Sequence, residues 1–411
     1  MSRAFTKTIQ QALGRDPVHP FPARMAPGIA LDILASEPER IRVLDPMMGS
    51  GTVLAMARAK GHSAIGIDID PLAVLLARVW TTTVDASQVR LAASRVLDRA
   101  REKFATCATG DAYPANADMQ TRQFVRYWFD AYARRQLTAL AEAIHRFEDG
   151  CVKDALWCAF SRLIITKQAG ASLAMDLSHS RPHKAFEHAP IKPFNKFLSA
   201  VDLVLKNCLS RAQSGRGPAT RALLGDARKL PLASGTIDLV LTSPPYLNAI
   251  DYMRCSKFSL VWMGYTVSEL GSIRSESVGT ECSDESARDN AEVKKIISDL
   301  RLTPKLAARQ EAILAHYVDD MMRSVRECAR VLAPGGKAAY VVGENTVRGT
   351  FIPNANIVTA VAERSGLQME RRRARALPAN RRYLPPPASQ HTAESMNGRM
   401  RREVILSFVK I

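Results

Sequence analysis

The chain has 411 residues, seven cysteines with no Cys-x-x-Cys pair, and 57 Lys and Arg against 40 Asp and Glu, a formal charge of +17. A chain of this length builds a full core as one large or two ordinary domains without disulfides or zinc, and its odd thiol count fits a reducing compartment. With no apolar signal core and no apolar run near the ~20 residues that span a bilayer, a soluble, cytoplasmic protein with a polyanionic partner is expected.

The first distinctive stretch is His19-Pro20-Phe21-Pro22-Ala23-Arg24-Met25, an extended, proline-punctuated segment ahead of the first strand pattern. The run Ile41 to Leu44 reads as a buried strand. It is followed by Asp45-Pro46-Met47-Met48-Gly49-Ser50-Gly51-Thr52 and a helical pattern from Val53 to Lys60. Glycines after a strand let the backbone approach a ligand at the carboxyl end of an open α/β sheet, where nucleotides and their relatives bind. The Gly-Lys-Ser/Thr ending of a phosphate-cradling loop is missing. A second strand, Ser63 to Ile67, ends in Asp68-Ile69-Asp70-Pro71. Asp68 stands where a carboxylate accepts from both ribose hydroxyls, although it could instead cap the helix that Asp70-Pro71 begins.

Residues 84 to about 215 carry apolar residues at helical spacing, among them Phe124, Trp128, Leu137, Leu140 and Ile144, which read as packing core. Within this span, Ser178 to Lys184 is a basic, proline-punctuated loop whose Arg181 and Lys184 are candidates for nucleic-acid phosphate contacts. A third strand-end unit, Leu223-Leu224-Gly225-Asp226, adds a further acid. An adenosine held by turn glycines, a ribose acid and one more acid, without phosphate contacts, points to S-adenosylmethionine rather than NAD.

After the apolar run Ile237 to Leu241 comes Thr242-Ser243-Pro244-Pro245-Tyr246. Proline fixes φ, lacks an N–H and holds the preceding residue extended, so this turn is a stiff slot lined with acceptors. It suits an amino group on a flat ring. Acceptors for its hydrogens localise the nitrogen lone pair, and Tyr246 offers a ring face for stacking. The polar stretch Ser268 to Asp299 follows the slot and is a candidate lid or base-reading segment. Further on, Arg330 to Lys337 reads as a turn before a strand at Ala338 to Val342, and Glu403 to Val409 reads as the last strand. Between them the chain is dense in arginine. Arg371, Arg372, Arg373, Arg375, Arg381, Arg382, Arg399, Arg401 and Arg402 are opposed over that range by Glu394, which favours a phosphate-backbone role.

The motifs DPMMGSGT, GIDIDP, GDARKLP and TSPPY, in that order, resemble the amino-methyltransferases of DNA, and serine before the two prolines resembles the N4-cytosine branch. The resemblance covers roughly residues 19 to 80 and 221 to 411. It implies a non-permuted, Rossmann-like doubly wound α/β sheet, mostly parallel with an antiparallel last strand, and a large helical insertion. Residues 1–83 would hold the first cofactor motifs, 84–215 the insertion, and 216–411 the catalytic half with its own insertion at about 268–299. By resemblance, Asp45, Gly49 and Gly51 hold the methionine part of S-adenosylmethionine, Asp68 the ribose and Asp226 the adenine amino group. Phe21 and Arg24 belong to the family's extra cofactor motif, and Pro46, Met47, Thr52, Ile69, Ala227 and Thr242 complete the expected cofactor set. Ser243, Pro244, Pro245 and Tyr246 would carry transfer to the N4 of a flipped-out cytosine in duplex DNA. No metal is expected; a homodimer and a companion restriction enzyme are compatible with this reading. Methylation of adenine N6, an RNA substrate and a non-catalytic DNA-binding protein stay open as alternatives. Carbon-5 cytosine methylation is set aside, because it needs a thiolate nucleophile and no Pro-Cys dipeptide occurs.

Overall fold

The computed structural model describes residues 7–22, 24–37, 39–178, 182–209, 217–247, 251–280, 287, 289–300, 306–347, 350–376 and 402–411. Ala23, Arg181, Glu394 and Arg381, Arg382, Arg399 and Arg401 of the sequence reading lie outside these residues. The chain opens with α1 (Ile9–Leu13), α2 (Pro27–Leu34), β1 (Arg42–Asp45), α3 (Thr52–Ala59), β2 (Ser63–Asp68) and α4 (Pro71–Thr81). Five helices follow: α5 (Ala86–Thr106), α6 (Met119–Trp128), α7 (Ala131–His145), α8 (Cys151–Ile164) and α9 (Pro193–Asn207). Then come β3 (Thr220–Leu224), β4 (Ile237–Thr242), α10 (Met253–Leu260), α11 (Val267–Glu276), α12 (Ala291–Asp299) and α13 (Ala308–Val331). The chain ends with β5 (Leu332–Gly343), the short pair β6 (Asn345–Val347) and β7 (Thr350–Ile352), α14 (Asn354–Arg364), β8 (Leu367–Ala376) and β9 (Arg402–Lys410).

Side chains of the central sheet alternate between two cores, as a pleated strand buried on both faces requires. Val43, Leu239, Leu241, Ala339, Val341 and Ile405 meet Ile29, Leu34, Leu54 and Met56 on one face. Their neighbours Leu44, Val240, Ala338, Tyr340, Leu406 and Phe408 meet Met321, Val325 and Val358 on the other. The strand order is β3-β2-β1-β4-β5-β9-β8. β3, β2, β1, β4 and β5 pair in parallel, while β9 runs antiparallel to both β5 and β8. The doubly wound sheet with its antiparallel last strand is therefore as expected. The order in which successive strands are laid down reverses between β1 and β4, which places a crevice beyond their carboxyl ends.

Helices α5 to α9 share one core with α4 and α10, in which Trp80, Val96, Leu140, Phe160, Phe197, Phe258 and Trp262 are fully or almost fully buried. Of the helical stripe read from sequence, Leu137, Leu140 and Ile144 are buried, and the rings of Phe124 and Trp128 pack 5.2 and 5.0 Å from that of Phe258. The side chains of Asp70, Asp85, Asp118 and Asp130 cap α4, α5, α6 and α7 by accepting first-turn N–H groups, each worth about 1 kcal/mol.

Two local expectations change. The segment read as a turn from Arg330 to Lys337 lies partly inside β5: Ile237 pairs with Leu332 and Leu239 with Lys337, so residues 333–336 loop out as a bulge. Pro334 has no N–H to give to a ladder, and Gly335 at φ +70° turns the chain. The polar stretch from Ser268 to Asp299 holds most of α11 at one end and α12 at the other.

Candidate active site

The crevice is closed at its base by a bond across the switch point. The Thr242 hydroxyl at the end of β4 donates to Asp45 Oδ1 at the end of β1, at 2.7 Å. Met47 N–H donates to the same oxygen at 3.2 Å, and Pro46 joins them in the turn. Burial pushes the Asp45 carboxyl up to about 7, against the pull of the Thr242 and Met47 bonds and with help from the nearby Asp68 charge.

Gly51 shows why glycine ends this turn: its φ is +85° and an added Cβ would stand 2.9 Å from the Ala77 Cβ of α4. Thr52 begins α3 and is buried. Gly49 N–H donates to Asp68 Oδ2 at 2.8 Å and Asp70 N–H to Asp68 Oδ1 at 2.9 Å, and the Ile69 N–H also favours the ionised carboxylate. Asp68 and Ile69 remain partly exposed. Desolvation first, and the Asp70 charge second, push the Asp68 carboxyl up to about 7. Capping is done by Asp70, whose Oδ1 takes Leu72 N–H at 2.8 Å and whose Oδ2 takes the Ser256 hydroxyl at 2.5 Å. Asp68 is thereby left to the glycine turn.

The extended stretch at His19 to Met25 lies on that turn. A Phe21 ring atom is 3.8 Å from where a Gly49 Cβ would be, and the ring stacks on Tyr252 with centroids 5.9 Å apart. Arg24 Nε donates to the Ser50 hydroxyl at 2.9 Å, and its Nη2 reaches the His19 carbonyl. His19 is buried and bonds through Nε2 to Ser161 Oγ on α8 at 3.0 Å; burial and the Arg162 and Arg24 charges hold its pKa well below the usual range. Asp226, after β3, is engaged by Arg228 through both carboxylate oxygens, and Ala227 between them is buried.

The slot itself is fixed by two contacts that sequence reasoning missed. The Ser243 hydroxyl donates to the Val341 carbonyl of β5 at 2.9 Å, and the Tyr317 hydroxyl of α13 donates to the Pro245 carbonyl at 3.2 Å. Pro244 is buried, while Ser243, Pro245 and Tyr246 keep partial exposure. The Tyr246 hydroxyl lies 3.5 Å from Ser243 Oγ, and burial raises its pKa. Gly279, at φ +80°, lies against this turn: its Cβ would be 3.2 Å from the Tyr246 carbonyl oxygen and 3.4 Å from Pro245 Cβ.

The basic candidates are distributed differently. Lys184 is exposed, with its ammonium 5.3 Å from the ring centroid of Tyr127, itself half exposed. Arg371 and Arg372 are exposed on the edge strand β8, and Arg372 donates to Asn356 at 2.8 Å. Arg373 pairs with Asp32 at 2.9 Å, and Arg375 Nε donates to Glu403 at 2.7 Å. Two arginines of the basic run are thus neutralised by acids outside it. Among the described residues no cluster of His, Cys, Asp and Glu could hold a metal, and no helix is long and apolar enough to cross a membrane.

This strand order, with a glycine turn after β1 and acids ending β1 and β2 at the switch point, defines the class: the fold of the S-adenosylmethionine-dependent methyltransferases, whose cofactor is S-adenosylmethionine. The residues fit that group. Two neighbouring carboxyls held near 7 by desolvation suit a cation, and Asp68, partly exposed at the end of β2, can still accept from a hydroxyl. No family model matches the chain. It is 23% identical over 363 residues to the type II methyltransferase M.MvaI of Kocuria varians, covering 83% of this chain and 79% of that one. It is 22% identical to the type II methyltransferase M.AvaI of Nostoc sp., over 80% of this chain and 74% of the relative. A solved S-adenosylmethionine-dependent methyltransferase of Methanosarcina mazei aligns over 92% of this chain and 97% of its own, at 10% identity and a TM-score of 0.33.

Proposed function

We propose that the protein is a site-specific DNA methyltransferase that modifies the exocyclic amine of a flipped-out base, with cytosine N4 as its target. The observation that carries the chemistry is the bond from the Ser243 hydroxyl to the Val341 carbonyl. A hydroxyl is donor and acceptor at once, but with its hydrogen engaged on Val341 it presents lone pairs to the slot. Ser243 then accepts one amine hydrogen and the Pro244 carbonyl the other. Both bonds pull the nitrogen lone pair out of conjugation, orient it, and stabilise the positive charge that develops as it attacks. S-adenosylmethionine, when bound, supplies an electrophilic methyl. Tyr317 keeps the proline turn in register by holding the Pro245 carbonyl. The amine sheds its extra proton after transfer.

A stacked base cannot bring its amine into a crevice at strand ends, so it has to leave the duplex at a cost of a few kcal/mol, and Tyr246 offers a ring to replace the lost stacking. The net charge of +17 and the exposed Arg371, Arg372 and Lys184 suit a phosphate backbone. The similarity to type II methyltransferases over about four-fifths of this chain and 74–79% of theirs supports a DNA substrate, and the serine before the two prolines supports cytosine. The test is digestion of duplex DNA to nucleosides after incubation with the protein and methyl-labelled cofactor. N4-methylcytosine identified by mass is expected. N6-methyladenine alone would overturn the cytosine assignment, and label entering RNA but not DNA would overturn the substrate class.

A further inference from the structure

Arg228 joins three elements that have no other reason to share a side chain. Its own N–H donates to Asp226 Oδ1 at 2.8 Å, its Nε lies 3.0 Å from each Asp226 carboxylate oxygen, and its Nη2 lies 2.8 Å from Oδ2. Nη1 donates to Asp320 Oδ1 on α13 at 2.6 Å, and Nη2 also donates to the carbonyl of Glu276, the last residue of α11, at 2.8 Å. The Arg228 side chain is 10% exposed and that of Asp320 1%. A planar fork satisfying several acceptors in fixed directions is something arginine does and lysine cannot.

Both distant partners lead to the same place. Glu276 is followed directly by the segment in which Gly279 lies against the Tyr246 carbonyl and the Pro245 side chain. Tyr317, three residues before Asp320 on α13, donates to the Pro245 carbonyl. On the chain leaving the slot, Asp251 pairs with Arg274 of α11 at 2.6 Å. The acid assigned to the cofactor's adenine and the turn assigned to the reacting amine are therefore braced through one guanidinium.

We propose that Arg228 is a positioning residue that couples the adenine end of the cofactor site to the catalytic slot, by fixing α11 and α13 against the Pro245 turn when Asp226 is engaged. The proposal rests on the methyltransferase reading above. Removing Arg228 alone leaves the buried Asp320 carboxylate without its guanidinium and facing His316 Nε2 at 3.5 Å, so the informative comparison is D320N against R228A/D320N, with R228K as a charge-keeping variant. At saturating DNA and cofactor, R228A/D320N is expected to turn over at least tenfold more slowly than D320N, and R228K to fall with it. Hydrogen exchange should show faster deuterium uptake at residues 276–280 in R228A/D320N, and loss of the protection that sinefungin gives this segment in the parent. Equal turnover at saturation with only cofactor affinity changed, wild-type turnover in R228K, or unchanged uptake at 276–280 would each overturn the coupling. A wild-type protein that neither binds sinefungin nor methylates any nucleic acid would sink the functional reading, while uptake at 276–280 in the free variants would still decide whether Arg228 braces that segment.

Discussion

Replacing Asp45 with asparagine removes one of two neighbouring carboxyls that burial pushes up to about 7. Each holds its proton more tightly in the folded chain than at its ordinary value of 3.8. Folding therefore takes up protons between about 4 and about 7, and the stability of the free protein falls as pH rises through that window. Cofactor affinity runs the other way, because a ligand carrying a sulfonium and an ammonium is attracted to the ionised form. A group titrating near 7 is about one-tenth ionised at pH 6 and about nine-tenths at pH 8, so S-adenosylmethionine should bind about tenfold more weakly at pH 6 for each group it needs charged. The two sites are close enough to titrate as a pair, which spreads the change over more than one pH unit. Calorimetry from pH 5.5 to 8.5, in two buffers of different ionisation enthalpy, reads both the affinity and the protons released. Wild type should release protons below pH 7; D45N, which keeps an oxygen for the Thr242 hydroxyl, should bind more weakly at pH 8 and lose part of the slope. An affinity that is flat across this range, or a D45N slope equal to that of wild type, would refute the assignment of these carboxyls to a cationic cofactor.

Three further changes separate the parts of the site. S243A removes an acceptor without touching the cofactor turn, so turnover should drop about a hundredfold, about 2.7 kcal/mol of barrier, at unchanged cofactor affinity; single-turnover kinetics with wild-type rates would count against the acceptor role. G51A forces a side chain into a φ of +85° and against Ala77, so about 1–3 kcal/mol of stability and much of the cofactor affinity should be lost; a wild-type melting curve and titration would contradict this. R371A/R372A should weaken DNA binding alike for all sequences and shallow its salt dependence by about 0.9 in log–log slope per phosphate contact removed; an unchanged slope by fluorescence anisotropy would move the DNA backbone to another face.

The strand-end motifs were legible because each is a local event: a buried run, then glycines or prolines and an acid, all within a few residues. β1, β2 and β4 accordingly fall within one residue of where the sequence put them, and the exclusion of a phosphate loop needed only a missing lysine. What escaped is long-range. Arg373 finds Asp32 and Arg375 finds Glu403, so a charge run that looked opposed by a single glutamate loses two cations to acids that no local count includes. The sequence places Asp226 at the end of its strand but gives no sign that Arg228 binds it while also reaching Asp320, 92 residues along the chain. Pro-Gly-Gly signals the same backbone freedom in a turn and in the bulge at residues 333–336, so sequence alone does not separate the two.

The chemistry of the slot turns on a contact of this long-range kind. Nothing in Thr242 to Tyr246 specifies whether the Ser243 hydroxyl gives or takes a hydrogen. The Val341 carbonyl, 98 residues away on the adjacent strand, makes that choice. β5 pairs in parallel with β4, Thr242 standing opposite Tyr340, and so brings the next residue's carbonyl to the serine. The register of the sheet thereby makes an ambivalent side chain into an acceptor. A substitution that shifted β5 against β4, for example one that changed the bulge at Pro334 to Gly336, would turn the serine hydrogen toward the slot and set it against the hydrogens of the substrate amine. Activity would then be lost with every residue of the proline turn intact.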